Sequence, residues 1–330
     1  MIGSCLSGPV AGASPQATQR RIVLHMAELL SITVNAIFMA GLYAAMSFGL
    51  ALIYGVMKII NLAHAGVIML GAFFSFTLFQ YAHIDPFVSI IVAFPVFSAL
   101  GMALHRYVVS RLPESGNTPA VQSLLLLFGV WLMLQNLGYY VWGSDTQSVL
   151  TTYTLKSVKL GPITVGIPIL LMFLVGVVTF IILNQVMTKT YLGKAIRAVT
   201  QNRQAALLVG INARKIAMIA FGIGTGLAGV SGSMMSALYA FTPDFGRNFL
   251  LKAFCIIVLG GMESLSGVAV GALVVALAEA YVARYLVSNV FQDAITFALL
   301  VVALVVMPQG LPGLSAQLGR YFRTKEVARS

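Results

Sequence analysis

Acidic residues are scarce in this chain. Nine Asp and Glu stand among 330 residues, against 20 Lys and Arg, and charged residues make up 9% of the whole. A soluble domain usually carries about 25% charge, so a water-facing surface of ordinary chemistry cannot be assembled from this composition. With 59% hydrophobic residues, most of the chain has lipid as its solvent. The few acids are scattered, which excludes a paired-carboxylate site, and no Ser-His-Asp or Cys-His arrangement can be argued. The chain is therefore expected not to be an enzyme.

Cysteine is nearly absent. Cys5 and Cys255 lie far apart, in a tail and in an apolar run, which argues against a disulfide framework or a metal site. No stretch fits G-x-x-x-x-G-K-[ST], so the chain has no phosphate loop, and no cofactor is expected in it. The net charge of +11 is not accompanied by a basic face with interleaved aromatics, which excludes nucleic acid as a partner. It reads instead as Lys and Arg held in cytoplasmic loops. Residues 1–19 carry no charge and lack the basic start and apolar centre of a secretory signal. Residues 1–27 are expected to form a disordered tail, 28–313 a membrane domain, and 314–330 a basic cytoplasmic tail.

What is present is a series of long apolar runs. Crossing the bilayer core takes about 20 apolar residues as a helix. Residues 28–54, 65–81, 87–105, 121–141, 166–187, 214–238 and 291–307 qualify, and 251–286 reads as two pieces. The fold class is all-α: a polytopic membrane protein of eight or nine transmembrane helices with one broken helix. Run lengths and the lack of alternation exclude a β-barrel. The stretch 142–165 reads as a short extended or hairpin excursion on the outer side.

Loop charge sets the orientation. Lys189, Lys194, Arg197, Arg203, Arg214 and Lys215 surround residues 188–213 without one acid, which places that loop in the cytoplasm. Alternation then puts the N-terminus outside, against the preference of Arg20 and Arg21.

Four stretches carry motifs. Gly224, Gly226 and Gly229 superficially match a dinucleotide fingerprint, but they lie inside an apolar run with no preceding strand. Gly222 and Gly226, and Gly229 and Ser233, are instead spaced for close helix packing in lipid. "VLGGMESLSG" (258–267) reads either as a broken helix lining a cavity, through Gly260, Gly261 and Glu263, or as an ordinary turn. "YGVMKIINLAHAGVIMLGAF" (54–73) sets Lys58, Asn61 and His64 between two apolar runs. These either line a pathway or form a turn in which Asn61 caps a helix. Glu279 and Arg284 are expected near a helix end, to snorkel or pair with one another.

The fourth stretch, "GKAIRAVTQNRQAALLVGIN" (193–212), is basic, Ala-rich and helix-prone. Ala195, Ala198, Ala205 and Ala206 give it a small-residue face, and Gly193 and Gly210 bracket it. It is either a topology-holding loop or a cytoplasmic helix that docks in a groove of another protein. Its length favours docking.

These blocks resemble the permeases of branched-chain amino acid ABC importers, a family that also takes in urea and short-amide importers. The resemblance rests on "GLYAAMSFGLALIYGVMKIINLAHAGVIMLGAF" (41–73), on residues 193–232, and on "LKAFCIIVLGGMESLSGVAVGALVVALAE" (251–279) with "MPQGLPG" (307–313). It implies an inner-membrane, multi-pass subunit that moves a small neutral or zwitterionic solute. The branched-chain amino acids come first, with urea or a short amide as alternative. An ion-coupled secondary transporter is a more distant alternative.

The resemblance also implies a second permease subunit, related or identical. It implies two ATP-binding subunits that use ATP and Mg, and a periplasmic solute-binding protein. Coupling to the ATPase would fall to Gly193, Arg197, Arg203, Gln204, Ala205, Ala206, Gly210 and Asn212. The family's usual Glu-Ala-Ala reads Gln204-Ala205-Ala206 here, which removes one charge from that contact. The substrate pathway would run near Asn61, His64 and Gly260 to Glu263, where the chain meets its partner permease.

Overall fold

The computed structural model describes residues 15–112, 119–161, 163–262, 264–285, 290–307 and 310. Eleven α-helices and one small hairpin are found among them. In chain order they are α1 Pro15–Met57, α2 Ala63–Ala82, α3 Pro86–Tyr107, α4 Pro119–Trp142, β1 Ser157–Leu160, β2 Ile163–Gly166, α5 Ile167–Lys189, α6 Tyr191–Gln201, α7 Arg203–Leu208, α8 Ala213–Met235, α9 Gly246–Gly260, α10 Leu265–Tyr285 and α11 Val290–Val306. The chain is an all-α, multi-pass membrane protein. Seven of the described helices are long and apolar enough to cross a bilayer. At 1.5 Å per residue α9 reaches only about 22 Å, short of a bilayer core of about 30 Å. α11 is also short, with an apolar stretch over Asp293–Val306.

The helix ends follow local chemistry. Pro15 starts α1, a position where the missing N–H costs nothing, so residues 15–27 are its first turns and not a tail. Asp85 caps α3 by accepting from Phe87 N at 2.9 Å, with Pro86 at the first helical position. The loop between α4 and α5 holds an antiparallel hairpin in register Ser157↔Gly166 to Leu160↔Ile163. The expected tail 314–330 lies outside the described residues.

α8 is the centre of the bundle and packs against α1, α2 and α3. Between helices in lipid there is no hydrophobic drive, so contact depends on how closely backbones can approach. A Cβ at Gly222 would stand 2.5 Å from Met102 Cγ and 3.0 Å from Ser98 O, and one at Gly226 would stand 3.0 Å from Phe94 O. At Gly229 it would meet Phe97 Cβ at 2.8 Å. Ser233 faces α2 and donates to Gly71 O at 3.1 Å. On another face, a Cβ at Gly224 would stand 2.5 Å from the Gly49 carbonyl oxygen of α1.

Glu279 and Arg284 do not pair. Arg284 binds Glu28 at 2.6 Å. Glu279 points into the protein and binds Lys252 at 3.0 Å. α10 turns these two positions toward different neighbours: Arg284 lies in its last turn, beside the start of the long α1, whereas Glu279 sits deeper, against α9.

Candidate functional site

The segment 193–212 is not one helix. Thr190 caps α6 by accepting from Gly193 N at 3.2 Å. α6 then ends at Asn202, whose extended backbone (φ −154°, ψ 105°) breaks the helix. Asn202 also caps α7, accepting from Ala205 N at 3.0 Å. Asn212 repeats the device for α8, accepting from Lys215 N at 3.1 Å. Asn favours caps because its side-chain oxygen serves the free N–H groups of the first turn. Gly210 closes α7 at φ +84°, a backbone shape that favours glycine.

α6 is amphipathic. Gly193, Ala195, Ile196 and Val199 are buried, while Lys194, Arg197 and Gln201 lie on the open side. A side chain at Gly193 would collide with the Met187 backbone of α5. Arg197 donates to the Met187 carbonyl. The alanines do not make one outward face: Ala195 and Ala206 are buried, and Ala205 is exposed. What α7 presents outward is Arg203, Gln204 and Ala205, followed by an apolar tip. Leu208 is 89% exposed and Val209 72%. Sequence reasoning passed over these two because they read as ordinary helix-face residues.

Beside this segment lies a cavity of about 380 Å³, lined among others by Lys58, His105, Thr200, Arg203 and Arg214. It joins the end of α1 to α3, α6, α7 and α8, at the end of the bundle where basic residues collect.

The α1–α2 junction is unusual. Lys58 takes a positive φ of 56°. The chain then runs back along α1 without helix until Ala63, so α2 starts inside the bundle. His64 Nε2 lies 3.0 Å from the Met46 carbonyl oxygen of α1, about 16 Å above the end of that helix at 1.5 Å per residue. Asn61 and His64 are both buried, and Asn61 Oδ1 and His64 Nδ1 have no hydrogen-bond partner among the described residues. Both side chains thus lie in the interior of the chain.

The α9–α10 break is a tight turn. Gly261 has φ +85°, and Ser264 Oγ accepts from Gly267 N at 3.1 Å to start α10. A Cβ at Gly260 would meet the Cα of Val268 at 2.6 Å, and one at Gly310 would stand 2.5 Å from Gly261 N. Gly260 and Gly261 are thus sealed against neighbouring backbone. Glu263 lies outside the described residues. Among the described residues, Asn61 and His64 pack against α1 and Gly260 packs against α10.

Sequence reasoning missed a buried charge cluster. Lys252 of α9 is 7% exposed and Glu279 of α10 is 4% exposed. Glu279 accepts from Lys252 Nζ, from Tyr43 OH at 2.5 Å, and from Thr296 Oγ1. Asp293 adds a second carboxylate 3.6 Å from Lys252 Nζ. The available signal was a lone lysine in "NFLLKAFCIIVLGG", an ionisable group in a run that otherwise suits lipid.

Comparison with known proteins identifies the kind of molecule these elements belong to. Residues 32–304 match the family model described as branched-chain amino acid transport system / permease component. The chain is 30% identical over 295 residues to the high-affinity branched-chain amino acid transport system permease protein LivH of Escherichia coli K12, covering 84% of this chain and 94% of that one. It is 28% identical over 293 residues to the corresponding permease protein BraD of Pseudomonas aeruginosa, covering 85% and 94%. A fructose import permease, FruF of Bifidobacterium longum, is 26% identical over 166 residues, covering 48% and 47%. No solved structure matches.

Proposed function

We infer function from family: this chain belongs to the branched-chain amino acid transport permeases. We propose that it is the membrane subunit of an ATP-driven importer in a bacterial inner membrane, and that it moves a branched-chain amino acid. ATP and Mg are used by two separate ATP-binding subunits, a periplasmic binding protein delivers the solute, and a second permease chain completes the passage. The chain itself carries out no catalysis.

The observation that carries this reading is the α6–α7 segment. It is anchored inward by Gly193, Ala195, Ile196 and Ala206, and it packs on α1, α5 and α8. Outward it offers Leu208 and Val209, with the exposed polar Gln204 one helical turn before Leu208. Exposed apolar side chains rimmed by polar ones mark a contact for another protein. A push on that tip moves α6, and through α6 the membrane helices. Arg197, Gln204, Gly210 and Asn212 shape the lever rather than the contact alone: Arg197 ties it to α5, and Asn212 fixes its exit into α8.

The test uses the assembled importer in proteoliposomes. Leu208→Glu places a charge at the contact without disturbing a buried position. It is expected to abolish leucine uptake while the chain still folds at wild-type yield. Wild-type uptake by the Leu208→Glu complex would remove the coupling role.

A further inference from the structure

Polar side chains gather on the outer surface of this chain at a depth where lipid would be expected. Gln135, Asn136 and Tyr139 stand on α4, Asp244 in the connection before α9, and Arg247 and Asn248 on α9. Their depth follows from contacts. Gly246 packs on the Ala65 carbonyl in the first turn of α2, and α2 begins beside Met46, in the middle of the α1 span. From the other side, a Cβ at Gly66 would stand 3.0 Å from Leu134, the neighbour of Gln135. Both arms of the cluster therefore reach the level where α2 starts.

Asp244, Arg247 and Asn248 are exposed at that level. The Asp244 carboxylate accepts from Gln135 Nε2 and Tyr139 OH, which hold it against α4. Arg247 N donates to the Asp244 carbonyl at 3.1 Å, so one turn fixes the two charged residues three positions apart. Among the described residues the Arg247 side chain makes no ion pair. An ionisable side chain facing lipid inside the bilayer is costly, and such residues face a protein interior or water-filled cavity instead. Three residues before Asp244, Phe241 pairs with Gln147 of the α4–α5 loop, so the cluster lies between that loop and the level where α2 starts. This face is thus covered by protein and water, and lipid does not touch it.

We propose that Asp244 and Arg247 form an amphoteric subsite of the translocation pathway for a zwitterionic amino acid. The inference rests on the permease reading above and places the pathway on the α4–α9 face, under the second permease chain. The Asp244 carboxylate takes the solute's ammonium, and the Arg247 guanidinium takes its carboxylate through paired hydrogen bonds. Leu251, one helical turn beyond Arg247 and half exposed, offers the apolar contact an aliphatic side chain needs.

The experiment uses the complete importer in proteoliposomes, in a Cys5→Ser, Cys255→Ala background. Asn248→Cys keeps both charges and puts a thiol on the residue after Arg247, in the pocket Asn248 shares with Leu251. It is expected to react with a charged, membrane-impermeant thiol reagent, and leucine-loaded binding protein is expected to slow that reaction. Val178→Cys, on the exposed face of α5, is the lipid-facing control and stays unreactive. Asp244→Asn and Arg247→Gln are each expected to lower leucine uptake by about 10- to 100-fold, the loss of one charge-assisted contact, and Arg247→Lys to restore part of it.

In a complex whose parent still takes up leucine on ATP hydrolysis, two results overturn the subsite alone: Asn248→Cys as inert as Val178→Cys, or a reaction that leucine leaves unchanged. A parent complex with no ATP-driven leucine uptake overturns the permease reading instead, and the solute assigned to this subsite falls with it.

Discussion

Lys252 and Glu279, 27 residues apart in sequence, meet at 3.0 Å between α9 and α10. Both are buried, and Tyr43 of α1 and Thr296 of α11 complete the carboxylate's hydrogen bonds. Four helices are thus joined through one ion pair. Removing one partner leaves the other buried and uncompensated, which typically costs about 3–5 kcal/mol, whereas replacing both with apolar groups is often near neutral. Lys252→Met alone, which leaves Glu279 without its cation, is therefore expected to lower the unfolding midpoint in detergent sharply, whereas Glu279→Leu leaves Lys252 the Asp293 carboxylate at 3.6 Å. Adding Glu279→Leu to Lys252→Met is expected to recover most of that loss. A double variant as unstable as the single one would show that the pair's charges do not set the cost.

Gly224 and Gly129 provide a matched pair of glycine substitutions. A methyl at Gly224 lands 2.5 Å from the Gly49 carbonyl oxygen, while nothing lies within 4 Å of a methyl at Gly129. Gly224→Ala is expected to cost about 1–3 kcal/mol through overpacking. Gly129→Ala, in the interior of α4, is expected to gain about 0.5–1 kcal/mol from reduced backbone freedom in the unfolded state. Thermal unfolding of the two purified variants measures both, and equal shifts would contradict the packing account.

Asn202 sits at the bend between α6 and α7 and caps the second of them. Asn202→Ala removes a cap worth about 1 kcal/mol. Because the segment is peripheral, the global midpoint is expected to move little. Hydrogen exchange of α7 amides is expected to accelerate by about fivefold, the factor that 1 kcal/mol represents. Unchanged exchange would mean that tertiary contacts, not the cap, hold α7.

Tyr153 lies in the α4–α5 loop, outside the spans, and donates to Asp85 at 2.6 Å. Burial, and next the hydrogen bond to Asp85, raise its phenol above the usual value. A group whose folded pKa is raised contributes stability that is complete below its unfolded pKa and is lost as pH rises toward the folded one. The contribution is therefore full at neutral pH and declines above about pH 10, the free tyrosine value. Tyr153→Phe is expected to flatten the alkaline part of the stability–pH curve and leave its neutral part nearly parallel to wild type. An unchanged alkaline limb in thermal unfolding would contradict this.

Elements were legible where the signal is local. The apolar runs located the seven span-length helices to within a few residues, because a helix in lipid satisfies its backbone from its own sequence; eight or nine were expected, and α9 and α11 fall short of span length. The excursion between α4 and α5 was foreseen as extended or hairpin and is a hairpin. Boundaries failed where apolarity was weak: the polar residues 15–27 continue α1, and the basic stretch 193–212 is two helices because Asn202 prefers to cap rather than continue. Asn61, His64 and Gly260 were marked as polar or small interruptions of apolar runs. Their polarity was visible, but whether each faced a passage or the chain's own interior was not.

The sequence alone determined the solvent, the helices and the basic end of this protein, since composition, run length and Lys/Arg placement act through local hydrogen bonding and transfer from water to lipid. Tertiary structure decided which surfaces are inside. Only packing turns Lys252 toward Glu279, hides His64 against Met46, and leaves Asp244 and Arg247 facing outward. Each of these depends on which helix lies beside which, and a helix's own 3.6-residue period carries no record of its neighbours.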